Sequence, residues 1–235
     1  MSPIPLMLPG QAAAPTGPVD MTMMYVMHHA FRRDVRDFRR AVESLGLEDR
    51  ERWALLAERW DFFVGELHQH HTKEDDILWP LLLERVRAAG DVQSEQVLEE
   101  MEAEHAVLDP LLTAASIAMA RLAREAQPQA REVLHDTLLE LGSALDLHLG
   151  HEERDAIEIV QRYIGGPEWE RLEKEKFRGK QSLGHARVFV PWALKDLPAE
   201  AQQRVLALGG RPLRVLHAVS RGRFLAHEDR VFAPA

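Results

Sequence analysis

The chain contains no cysteine. That absence excludes disulfides, thiolate-held metals and iron–sulfur clusters together, so any metal must be held by imidazole and carboxylate. It also fits a cytoplasmic protein. Aromatic residues make up only 6% of the composition, and the chain is enriched instead in the helix formers Ala, Leu, Glu and Arg. No run approaches the roughly 18 consecutive apolar residues of a membrane span. The opening "MSPIPLMLPGQAAAPTGPVD" is broken by five prolines and lacks the basic segment and continuous apolar run of a signal peptide. No membrane association is expected. Positive charge is scarce too: 29 Lys and Arg stand against 38 Asp and Glu, a formal charge of -9. With no basic cluster interleaved with aromatics, a nucleic-acid-binding role is not expected.

What the sequence does have is helical periodicity, in four long segments. The first runs from about Asp20, a candidate N-cap, to Leu45, with Met24, His28, Phe31, Val35, Phe38, Val42 and Leu45 as its apolar stripe. The second spans roughly 49 to 88 and stops near Gly90; Pro80 lies inside it and is expected to kink it. The third covers about 92 to 125, with Met101, His105, Leu108, Leu112, Ala115, Met119 and Leu122 in register. The fourth starts near Pro128 and ends before Gly165, its stripe running through Leu134, Leu138, Leu141, Leu145, His148, Glu152 and Ile159. Short connections make successive helices antiparallel, which predicts an all-α, up-down-up-down four-helix bundle over residues 20–164. Residues 1–19 read as an irregular arm. Residues 165–235 read as a C-terminal helical extension, in which "VFVPWALKDLP" is turn-rich and "RPLRVLHAVSRGRFLAHEDRVF" a basic helix. Residues 167–235 hold 13 Lys and Arg against 8 Asp and Glu, so a basic extension is expected to pack on an acidic bundle, over apolar surface such as that near Trp53 or Trp79.

The stripes contain residues that do not belong in a hydrophobic seam. His28, His70, Glu74, His105, His148 and Glu152 all occupy apolar positions, one histidine per helix, with a glutamate four residues on in helices two and four. The separations match: 42 residues from His28 to His70 and 43 from His105 to His148. The chain thus reads as two pseudo-repeated halves meeting about an approximate two-fold axis. A lone histidine on such a face is ordinarily a hydrogen-bonded core residue; six in-register groups in two matched halves are another matter. A buried carboxylate costs several kcal/mol unless paired or coordinated, and two facing ones also repel. A pair of cations removes both problems, and four imidazoles with two bridging carboxylates suit iron, leaving one or two positions open on the metals. His71 with Asp75 and His151 with Asp155 offer a second frame, about 100° and 60° off the stripes. His71 is read as flanking, and His151 as the substitute for His148. His29, His68, His135, His185, His217 and His227 lack partnered spacing.

The stretches "HHAFRRD", "HHTKEDDILWP", "EAEHAVL" and "HLGHEERDA" together resemble the hemerythrin-like, HHE cation-binding family over about residues 22 to 163. The resemblance aligns Phe31 and Arg32 so as to select His28 over His29, and "EDDILWP" so as to select His70 and Glu74 over His71 and Asp75. It implies a four-helix bundle holding two iron ions, oxo- or hydroxo-bridged, that meet oxygen (O2), nitric oxide (NO) or peroxide. The pattern is nearer the four-histidine, two-glutamate branch, which includes iron-centre repair proteins, than the five-histidine oxygen carriers, because Asp109 stands where the carriers have a second histidine. The cysteine-bearing segment of the repair proteins is missing. The arm and the extension resemble a type common among actinobacterial members. Two readings follow: a redox protein reacting with O2, NO or peroxide, or a di-iron oxygenase or oxidase with a small organic substrate, whose pocket the tail or Met23, Met24 and Met27 would line.

Overall fold

Two of the long helices start where an aspartate side chain satisfies an otherwise unpaired backbone donor. Asp49 accepts the Arg52 N–H and Asp91 the Ser94 N–H, both at 3.1 Å. The computed structural model describes residues 3–177 and 182–233, and no strand occurs among them. Helix one of the bundle is α1 (Thr22–Ser44). Helix two is α2 (Arg50–Lys73), a π-helical turn (Glu74–Leu78) and α3 (Trp79–Ala89). Helix three is α4 (Val92–Glu125). Helix four is α5 (Pro128–His151), a second π turn (Glu152–Ala156) and α6 (Ile157–Tyr163). Around the bundle α1 packs on α5, α5 on α4, α4 on α2, and α2 on α1.

Details differ from the sequence reading. Asp20 is not the N-cap of α1: it accepts from the backbone N–H and hydroxyl of Thr22 at 3.0 and 2.5 Å, in a tight turn before the helix. Pro80 lies in the first turn of α3, directly after the π turn in which Trp79 N–H reaches back five residues to the Glu74 carbonyl. Helix four has the same π turn, Ile157 N–H to the Glu152 carbonyl, with no proline. What the two π turns share is the His-x-x-x-Glu step just before them. Gly90 ends α3 with φ 69°, a left-handed conformation that glycine adopts without steric cost.

The centre of the bundle is apolar and aromatic. Phe38 lies edge-on to Trp60 (5.0 Å) and Phe63 (5.8 Å), and the Trp60 indole donates to Ser116 Oγ at 2.8 Å. Helix α4 is long and apolar enough, by length and composition, to cross a membrane. Here Leu98, Met101, Leu108, Leu112 and Leu122 bury its apolar face in the core.

The arm crosses the bundle and is pinned there: Val19 and the Gln161 side chain exchange two hydrogen bonds of 2.9 Å. The C-terminal extension comprises α7 (Gly166–Leu172), a third π turn (Glu173–Phe177), α8 (Leu183–Leu194), α9 (Ala199–Leu208) and α10 (Gly210–Phe232). The charged stretch after Gly166 is therefore helical as far as Phe177, and its last residues lie outside the described ones. "VFVPWAL" is not a turn. Ser182 caps α8, accepting the His185 N–H at 3.1 Å, and the helix runs through Pro191, because burying Val190 to Leu194 offsets the lost hydrogen bond.

Extension bases do meet bundle acids, Lys195 on Asp37 (3.3 Å) and Arg204 on Asp20 (3.2 Å), and a buried charge network joins them. Asp34 of α1 accepts from Arg33 (2.7 Å), Arg59 (2.6 Å) and the Trp192 indole (2.8 Å). Arg59 also reaches Glu228 of α10 (2.7 Å), which in turn holds Lys195 (2.9 Å). The two bundle arginines are the network's buried cations, and Arg59 with Glu228 adds a pair of the opposite sense. Trp192 packs on Phe31 (5.8 Å) and Phe62 (5.4 Å), and Phe232 on Phe38 (5.3 Å), so the extension covers the α1–α2 groove. Near Trp53 it contributes only a rim, Arg230 to Glu51 at 3.1 Å and the Ala233 carbonyl to Arg52. Removing one partner from a buried network strands the others, so Asp34→Ala should destabilise the protein by about 3–5 kcal/mol. Arg230→Ala, at an exposed pair, should stay within about 0.5 kcal/mol. Denaturant midpoints at constant slope measure both, and equal effects would show that the buried network is not what holds the extension.

Candidate metal centre

The six polar residues of the stripes meet in the bundle's interior. His28, His70 and Glu152 bring one ligand atom each within 4.8 Å of one another, and His71, His105 and His148 form a second such group. Glu74 lies between the groups, with Oε1 3.1 Å from His70 Nε2 and Oε2 3.7 Å from His105 Nε2. Glu152 does the same from the other side: its Oε2 is 3.1 Å from His28 Nε2 and 4.0 Å from His148 Nε2. Each carboxylate therefore faces one histidine of either group.

A surrounding set of acids fixes the rings. His28 Nδ1 pairs with Glu153 (2.9 Å), His105 Nδ1 with Asp75 (2.8 Å) and His148 Nδ1 with Glu104 (2.8 Å). A carboxylate at Nδ1 holds the ring proton there and leaves Nε2 as a lone-pair donor aimed inward. The halves repeat this logic. In "Glu74-Asp75" and "Glu152-Glu153" the first acid turns to the centre, and the second crosses to a histidine of the other half. Glu153 is itself gripped by Arg32 (Nη1 at 2.5 Å) and by the Ala12 N–H of the arm (2.9 Å).

The electrostatics show how poorly the pocket suits its own protein groups. Apart from the histidine nitrogens just described, neither oxygen of Glu74 and neither oxygen of Glu152 has a hydrogen-bond partner, and His71 Nε2 is unpartnered, all five atoms being buried. Burial pushes Glu74 well above the usual carboxylate range, and the Glu152 and Asp75 charges add to it. Burial acts the same way on Glu152, but His28 outweighs it and holds Glu152 at about 2. Burial lowers His28, yet Glu152 and Glu153 more than offset this and lift it to about 9. His70 and His71 are held well below 6.5, by burial first and neighbouring imidazoles second. The protein alone can satisfy one carboxylate and must protonate the other. A pair of cations between the groups would coordinate all five atoms and both carboxylates in ionised form, so the donor set fits two metal ions.

His71 is the residue that the sequence reading left outside. It is buried, stacked on His105 with centroids 4.0 Å apart, and edge-on to His148 at 5.3 Å. A corner helix of a four-helix bundle faces two neighbours nearly at right angles, so residues 100° apart each meet one. His70 turns to His28 of α1 and His71 to His105 of α4. The corresponding position in helix four is Leu149, fully buried, so the pseudo-symmetry breaks here. The centre has five imidazoles, the fifth from helix two and not from helix three. His151 stays at the edge, its Nδ1 on Glu104 Oε1 at 2.8 Å, and it joins neither group. His29 points toward Asp196 and is lowered to about 4, mainly by burial and then by Arg33 and Arg36. His185 pairs with Glu66 (2.6 Å) and His135 with Asp136 (3.1 Å), both away from the centre.

Such a site, imidazoles and carboxylates converging inside an antiparallel helical bundle, defines a cation-binding helical protein. Residues 20–160 match the family described as "Hemerythrin HHE cation binding domain", and the chain belongs to that family. No curated protein and no solved structure gives a significant match to the chain.

Two outcomes follow from this geometry. His71→Ala should reduce the metal held at saturation from about two ions per chain toward one, whereas His29→Ala should leave it unchanged. Elemental analysis compares them, and full retention in His71→Ala would make that ring a packing residue. The second concerns pH. His28, raised from 6.5 to about 9, contributes stability that is complete below pH 6.5 and lost as pH rises through 9. Glu74, also raised, acts in the same direction, since the unfolded chain ionises it freely. His70 and His71, both lowered, are neutral folded and unfolded above pH 6.5 and add no slope there. Metal-free protein should therefore lose stability from pH 6.5 to 9, and metal-loaded protein should not. Chemical denaturation across that range decides it; a flat metal-free profile would contradict the assigned charge pattern.

Proposed function

We propose that this is a cytoplasmic non-heme di-iron protein that binds or reacts with O2, NO or peroxide. The observation that carries this reading is the pair of buried carboxylates, Glu74 and Glu152, each facing only histidine nitrogens and each lying between the two histidine groups. His28 and His70 would hold one iron and His71, His105 and His148 the other, with both glutamates shared. Iron so held supplies the electrons that small oxidants accept.

The chain's own part is orientation and exclusion. Glu153, Asp75 and Glu104 keep protons at Nδ1 of three histidines, so those rings cannot turn away from the centre. Phe31 lies 5.2 Å from the His70 ring and is backed by Trp192 of the extension, which keeps that side dry. The His28–His70 side has one imidazole fewer, which leaves room there for a small outside ligand. An oxygenase acting on an organic substrate is the second reading, and it calls for a cavity against the ligands. The pockets of about 10 and 110 Å³, under the arm and between α1 and α5, are lined by none of the seven residues.

Protein produced in iron-replete medium should carry about two irons per chain, and the reduced form should take up about one NO per chain, on the two-histidine side. Iron analysis and an anaerobic spectroscopic titration measure these. Folded protein unable to bind ferrous iron would refute the function, and uptake of two NO per chain would refute the asymmetry.

A further inference from the structure

A groove between α1 and α5 opens into a pocket of about 110 Å³, outside the metal centre. Arg32, Arg36 and Arg39 lie at i, i+4 and i+7 along one face of α1 and present three guanidinium groups to it. They are not equally occupied. Arg32 is committed, its Nε to Asp146 (3.1 Å) and its Nη atoms to Glu153. Arg36 is half exposed and comes only within 4.0 Å of Asp37. Arg39 makes no hydrogen bond or ion pair among the described residues, although its Nε is buried. On the α5 side the wall is Gly142, Ser143, Leu145 and Asp146, and at Gly142, where an added Cβ would stand 3.4 Å from Val35 Cγ1, the two helices come close. The rim carboxylate, Asp146, is two-thirds exposed and pairs with Arg32 Nε.

A buried guanidinium N–H without an acceptor is costly, and a chain of net charge -9 has no shortage of acids to supply one. Asp146, the acid that lines the pocket, is taken up by Arg32, and no acid among the described residues pairs with Arg39. We propose that the pocket is a binding site for a phosphate group, as inorganic phosphate or as the head of a small phosphate monoester. Guanidinium forks pair with oxyanions through two parallel hydrogen bonds. A phosphate offers three or four oxygens and up to two negative charges to the stacked arginines, where a carboxylate offers two oxygens and one charge. The pocket has room for a group of that size, and its open mouth lets an ester substituent project into solvent. Arg32 joins this pocket to the metal centre, since its other end holds Glu153, the acid on His28 Nδ1.

The test is calorimetric titration of the full-length, metal-analysed protein with inorganic phosphate and with glycerol phosphate, at fixed low ionic strength. Saturable binding should appear, weaken as potassium chloride is added, and become at least about tenfold weaker in Arg39→Gln and in Arg36→Ala, with iron content unchanged in both. Tighter binding of the ester would identify a monoester as the natural source, and tighter binding of free phosphate the inorganic ion. No saturable binding, unaltered binding in both variants, or equal affinity for acetate would overturn the proposal. Because phosphate is titrated directly, failure here leaves the iron reading untouched, and loss of iron leaves this one measurable.

Discussion

Two buried glutamates, of which the protein's own groups satisfy only one, are the constraint on which the rest of this structure depends. In an apolar bundle an ionised carboxylate without a partner costs several kcal/mol, and two that face each other cost more. The chain compensates one of them with His28 and leaves the other to be protonated. Occupation by cations is the arrangement in which every donor at the centre is used. Metal binding would thereby be linked to folding, because the same atoms that destabilise the centre would serve as ligands.

The helices bend their regularity to that requirement. Both π turns begin at the bridging glutamates, Glu74 and Glu152, and each widens one turn so that the acid after it, Asp75 or Glu153, crosses to a histidine of the opposite half. The duplication is incomplete, and its failure is chemically informative. His71 in one half answers to Leu149 in the other, and Glu104 steadies His148 where Met27 offers His70 nothing. A near-symmetric scaffold thus yields two unequal groups of candidate ligands.

The chain ends are tied to this centre. The arm supplies the Ala12 N–H to Glu153, and the extension places Trp192 against Phe31, which touches His70. The buried network of Asp34, Arg33, Arg59 and Glu228 ties the extension to α1 and α2. The segments outside the bundle are therefore parts of the wall around the site.

Local periodicity was enough to determine the four helices, the seam positions of His28, His70, Glu74, His105, His148 and Glu152, and the two-half organisation. Each of these depends on residue spacing along a single helix, and a helix of 3.6 residues per turn converts spacing into direction. What periodicity cannot specify is which neighbour a face meets. His71 was legible only as off-seam, since its place in the centre depends on α2 standing at a corner between α1 and α4. "VFVPWAL" looked like a turn because its proline speaks locally, whereas the burial that keeps it helical comes from α1 and α2. The buried arginine–aspartate network was hidden for the same reason: Arg33, Asp34 and Arg59 look like solvated surface until Trp192 and Glu228 arrive from more than 150 residues away. Sequence determined directions along each helix, and tertiary structure alone decided what stood opposite them.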